Sequence, residues 1–224
     1  MICIRNGNVH NAIIPEAFVA DILIADGKIK EIGSNLAVPE GTEVIDASGK
    51  EIYPGFVEAH GHIGLDGHGI GYEGTDYNEM NDIVCPQLRG IDVVKPMQPT
   101  FENAAKAGVT CVCVGPGSAN VLGGTFTTIK TVGKRVDDMV VRDAVAMKCA
   151  FGENPKRCYQ SKSDSSRMTT AFKLREALAK AREYMLKKEA AGDDISKAPA
   201  LDMKYEALIP VLKKEIPLNA HAHA

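Results

Sequence analysis

The sequence contains no apolar run approaching the roughly 20 residues that a membrane-spanning helix needs. Its opening, Met1-Ile2-Cys3-Ile4-Arg5, lacks a charged segment followed by an apolar stretch and a cleavage site. No membrane partner is expected, and the expected location is the cytoplasm. Neither sign of charge is in excess: 26 Lys and Arg against 29 Asp and Glu give a formal net charge of -3. Such a balance creates no broad field for a nucleic-acid backbone, so nucleic acid is not an expected partner. The six cysteines, Cys3, Cys85, Cys111, Cys113, Cys149 and Cys158, include no C-x2-C pair. Without an export signal, free buried thiols are expected rather than disulfides. Cys111 and Cys113 lie in an apolar stretch that reads as a strand buried on both faces, where cysteine serves as a small hydrophobe.

What is present is an ordinary globular composition, 45% hydrophobic and 25% charged over 224 residues, enough for a sizeable core plus a small extra module. Four of the six histidines fall in two H-x-H pairs, His60 with His62 and His221 with His223. Each pair closes an apolar, strand-like stretch. Side chains two positions apart on a strand share a face, so two imidazoles converge on one point, as a metal ion requires.

Residues 1–54 carry short β signals, with Asp26-Gly27 between two apolar runs as a hairpin turn. From residue 55 to 224 strands alternate with helices, the pattern of an α/β domain with a parallel sheet. Strands are expected over 56–59, 109–114, 126–131, 145–151 and 217–222. A helix is expected over 167–190, where Ala171, Leu174, Leu178, Ala181 and Met185 recur at helical spacing, with Ser165 or Ser166 as N-cap and Gly192 after the end. A second helix is expected over 202–214, kinked or split at Pro210.

The order Val44-Ile45-Asp46-Ala47-Ser48-Gly49-Lys50, then Pro54-Gly55-Phe56-Val57-Glu58-Ala59-His60-Gly61-His62, resembles the opening of the metal-dependent amidohydrolase superfamily. Further on, the stretches 74–79, 116–124 and 150–156 resemble its imidazolonepropionase-related branch. The resemblance implies an α/β fold of (β/α)8 TIM-barrel type, here only about the first five strands, preceded by a small β-sandwich module. An open five-strand fragment would expose strand edges. The expectation is therefore a truncated product, or a chain completed by a C-terminal segment or by a second copy.

By the same resemblance, His60 and His62 match first-strand metal ligands and His221 a later-strand histidine, with His223 the competing assignment and otherwise a substrate-facing residue. A bridging carboxylate would come from Glu153, the preferred candidate, or from a carboxylated Lys148. The family's general base, an eighth-strand aspartate, would lie beyond Ala224. The implied cofactor is one or two zinc-class ions, with Mn, Fe or Co as alternatives, and the implied reaction is hydrolysis of a C–N bond in a cyclic amide, amidine or peptide-like small molecule. A non-catalytic scaffold without the later-strand ligands is the alternative. The glycine-rich stretch 64–80 reads as a mobile loop over the site, with His68 as a substrate contact. The Gly115-Pro116-Gly117-Ser118 turn offers backbone N–H groups to a substrate anion, with Asn120 as a further substrate contact.

Overall fold

The computed structural model describes residues 1–67, 69–162 and 166–223. The chain divides into two compact units, Met1–Phe56 and Val57–Ala224. The first holds one mixed sheet of β1 (Ile2–Val9), β2 (Phe18–Ala25), β3 (Lys28–Gly33), β4 (Glu43–Asp46) and β5 (Glu51–Ile52), in the order β3-β2-β1-β4 with β5 also on β1. The Asp26-Gly27 turn joins β2 to β3 with both residues at positive φ, 52° and 70°, as a two-residue hairpin of matching twist demands. Val9, Ala20 and Ile22 form its core. Among the described residues the module is one five-stranded mixed sheet.

The second unit is built on a five-stranded sheet of β6 (Phe56–Gly61), β7 (Val109–Val114), β8 (Leu122–Lys130), β9 (Val140–Gly152) and β10 (Leu218–His223), in the order β10-β9-β8-β7-β6. All five expected strands form, but the expectation of a wholly parallel sheet fails at β8, which runs antiparallel to both β7 and β9. The cause is connection length. The link over 115–121 holds no helix and that over 131–139 only the four-residue α2 (Val136–Met139), whereas a parallel return needs roughly a dozen residues or more. Parallel pairing resumes between β9 and β10, after α3 (Glu153–Cys158), α4 (Arg167–Ala191) and α5 (Met203–Leu212).

Ser166 caps α4 in a reciprocal capping box with Thr169, and Gly192 follows the helix end. Asp202 caps α5 through the amides of Lys204 and Tyr205. Pro210 does not split α5, which runs through it to Leu212. Leu174, Ala177, Ala181 and Leu208 of these helices pack on Leu122, Met147 and Cys149 of the sheet. A second cluster joins Phe101 of α1 (Pro99–Lys106) to Val112, Val114 and Ile129.

The helices therefore cover one face of the sheet, and side-chain alternation sends Cys113, Phe126, Ala146 and Lys148 to the other. The sheet curls about that second face. His60 on β6 meets Asn219 on β10 at 3.2 Å although these strands end the order at opposite edges. All six cysteines are free, and burial pushes the thiols of Cys85, Cys113 and Cys149 above their ordinary range.

Candidate metal centre

The concave face gathers side chains from four strands. His60 and His62 project from the end of β6 with ring centroids 5.3 Å apart and planes nearly perpendicular. His62 donates from Nδ1 to the carbonyl of Gly115 at 2.7 Å, which leaves Nε2 bare in the neutral ring. Phe126 of β8 supports both imidazoles, at centroid distances of 5.0 and 6.4 Å. Gly115 is required at its position, because a Cβ there would fall 2.5 Å from the Phe126 ring.

Lys148 of β9 is fully buried, and its Nζ donates to His60 Nε2 at 3.4 Å. Burial pushes its ammonium down to about 8. The same Nζ lies over the Phe126 face, 5.7 Å from the ring centroid. His60 keeps an exposed edge, yet burial of its ring followed by the Lys148 charge holds it below the ordinary imidazole range. His221 is lowered by the same two causes in the same order, with smaller contributions from His223 and His62. His221 thus lies within electrostatic reach of Lys148, His60 and His62.

His221 accepts from Asn154 Nδ2 at 3.2 Å. His223 is more exposed and lies 3.5 Å from Glu153. Glu153 opens α3 at the rim, paired also with Arg157 at 3.7 Å, and makes no contact with His60 or His62. Of the two candidates for the bridging ligand, Lys148 lies beside His60 and Glu153 lies at the rim. Gly152 turns the chain at a φ of 78°, which swings Glu153 outward, whereas Lys148 lies four residues earlier on the inward face of β9. Among the described residues no three His, Cys, Asp or Glu side chains cluster closely enough to hold an ion. The third group beside the two imidazoles is a lysine.

Other expected roles shift as well. Asn120 is fully buried; its amide donates to the Glu79 and Asp82 carbonyls and to the Tyr159 hydroxyl. It therefore fastens the loop instead of lining the cavity. Two N–H groups of the turn over 115–118 are already engaged, Gly115 with the Gly61 carbonyl and Gly117 with the Tyr77 carbonyl at 2.6 Å, and just beyond it Ala119 N–H donates to Asn78. The same bonds tie down the 64–80 loop, which is also held by the Lys95–Asp76 ion pair at 2.6 Å and by Gly67 N–H on the Gly74 carbonyl at 2.5 Å. His68 lies outside the described residues. A cleft of about 460 Å³, lined by His62, Asp66, Tyr77, Gln98 and Thr100, opens beside the first imidazole pair. Asn219 and Tyr77, which stacks on His62 at 6.0 Å, were not among the expected site residues, and Gly115, expected to offer its N–H, presents its carbonyl to His62. Only Asn219 carried a signal, as the residue two before His221 on the same strand face.

No protein-family model matches the chain. The amidohydrolase tasK of Hapsidospora irregularis is 29% identical over 231 residues, which cover 92% of this chain and 23% of that protein. A dihydroorotase of Caldicellulosiruptor saccharolyticus is 44% identical over 64 residues, 28% of this chain and 15% of the relative. The crystal structure of an amidohydrolase from Thermotoga maritima MSB8 superposes with a TM-score of 0.93 at 40% identity, over 100% of this chain and 58% of that one. These likenesses support the amidohydrolase superfamily and a partial TIM barrel as the fold. The chain spans less than a quarter of the length of these two curated relatives and just over half of the Thermotoga chain.

No described helix is long and apolar enough to cross a membrane.

Proposed function

We propose that the chain carries the metal-binding part of a hydrolase of C–N bonds, with His60, His62 and His221 as imidazole ligands and Lys148, as its carbamate, as the anionic ligand between them. The observation that carries this reading is the fully buried Lys148, its amine against His60 Nε2 on the face shared with His62. A lysine costs several kcal/mol to bury as a cation, and among the described residues no carboxylate pairs with it. A lowered ammonium keeps a larger share of neutral amine near neutral pH, and the neutral amine adds CO2 with release of one proton to give an N-carboxylate. The residue then becomes a ligand of the sign that a divalent cation needs. Neutral imidazoles with a carboxylate suit zinc-class metals, Mn, Fe or Co included.

A bound ion of this class would activate water near neutral pH and polarise the substrate carbonyl or amidine carbon. The chain's own part is to orient and to shape. Gly115 fixes the His62 ring, Phe126 braces both first-strand imidazoles, and the cleft beside His62 admits a small molecule whose class the superfamily suggests: a cyclic amide, amidine or peptide-like compound. The imidazolonepropionase-related branch is the narrower placement we favour, on the motifs around 74–79, 116–124 and 150–156. His223, paired with Glu153 at the rim, stands as a substrate-facing group rather than a ligand.

The test is metal analysis of the chain prepared with zinc and bicarbonate. We expect at least one zinc per chain, lost in His60→Ala, His62→Ala and Lys148→Ala. Substoichiometric zinc in the unsubstituted chain would instead favour a non-catalytic scaffold, a reading that draws on the lack of any carboxylate touching these imidazoles among the described residues.

A further inference from the structure

We propose that Asn219 is a positioning residue that fixes the tautomer and ring direction of His60, so that Nε2 is the bare nitrogen presented to the interior. The argument runs along one line of atoms across three strands. Lys148 Nζ, a donor only in its ammonium form, faces His60 Nε2 at 3.4 Å, and Nε2 is then the accepting nitrogen. The neutral ring then carries its proton on Nδ1, and a hydrogen-bond acceptor must meet it there. Asn219 Oδ1 stands 3.2 Å from that nitrogen.

Among the described residues no other hydrogen bond reaches His60 Nδ1, and the acceptor comes from the far edge of the sheet order. The contact therefore exists only because the sheet curls, and it links the orientation of the first-strand imidazole to the docking of β10. His62 meets the same demand by a different route, through the backbone carbonyl of Gly115 at 2.7 Å, which no side-chain substitution removes. The two imidazoles thus share one tautomer, each with Nδ1 engaged and Nε2 free, one held by a replaceable side chain and the other by the main chain. Partners on the nitrogen away from the metal are what orient a ligating histidine and raise its basicity.

The metal part of this inference rests on the proposed function; the tautomer part does not. The test is nitrogen NMR of the histidine rings in the metal-free full chain, together with a Zn2+ titration. In the unsubstituted chain His60 and His62 both show a protonated Nδ1. In Asn219→Leu we expect His60 to lose that signature while His62 keeps it, and zinc affinity to fall 10- to 100-fold. Asn219→Asp, which retains an accepting oxygen, restores both. If the leucine variant does not fold, Asn219→Ser, too short to reach Nδ1, is read in the same way. A His60 spectrum unchanged in the leucine or serine variant overturns the proposal. Failure of the unsubstituted chain to bind zinc would overturn the metal reading alone, with the ring spectra still deciding the role of Asn219.

Discussion

A lysine amine with no acidic partner, buried among Phe126, Ala146 and an imidazole, is expensive for the unloaded protein. Its pKa of about 8 expresses that cost. Because the folded value lies below the unfolded one, near 10.4, the penalty is fully present below pH 8 and disappears as pH rises toward 10.4. Lys148→Met should therefore stabilise the metal-free, bicarbonate-free protein at pH 7 by roughly 1–3 kcal/mol. The gain should shrink as pH rises from 8 to 10, because the wild type is then relieved and the variant has nothing to titrate. Urea denaturation at pH 7 and pH 10 checks this, and a variant less stable than wild type at pH 7 would count against a strained amine. The sequence showed Lys148 as a candidate but could not rank it above Glu153. Strand alternation alone does not say which face of β9 lines the site, and Glu153 lies past the turn at Gly152.

At the level of elements, much was legible. The helical spacing of Leu174, Leu178 and Ala181, with Ser166 before and Gly192 after, gave α4 nearly to its ends, and Asp26-Gly27 gave the β2–β3 turn. The direction of β8 was not legible. Its residues alternate as any strand does, and the antiparallel pairing follows from short links on either side, a property of connection length that apolar periodicity does not report. The β9–β10 junction is the element on which the site most depends, since it aligns His221 beside Ala150 and carries Asn219 toward His60. Gly152 controls it. A Cβ at this position would lie 1.8 Å from the His223 carbonyl oxygen, on a backbone already at a φ of 78°. Gly152→Ala should destabilise the protein by more than about 1 kcal/mol. It should also move the ring resonances of His221 and His223 while leaving those of His10 in place. Thermal unfolding and NMR of the histidines measure the two effects, and an unshifted His221 with full stability would show that the junction tolerates a side chain.

For the molecule as a whole, the site belongs to curvature more than to local motif. The H-x-H pairs were plain in the sequence, yet their approach depends on a five-stranded sheet whose terminal strands, β6 and β10, meet across its concave face. Among the described residues neither strand has a second neighbour in the sheet, and Phe56, Val57, Ala220 and Ala222 are exposed there. Unpaired edges with small or apolar side chains recruit further strands. We therefore expect the 224-residue chain to associate reversibly, through a second copy or through an added segment bearing the later barrel strands. Sedimentation velocity over a concentration series should show the average mass rising with concentration. Ala220→Lys, which places a charge on the exposed face of the β10 edge and touches neither imidazole pair, should lower that mass toward the monomer while zinc content stays unchanged. A chain that remains monomeric throughout the series would mean that the edges are protected by their own twist. Association unaffected by Ala220→Lys would place the contact elsewhere than β10.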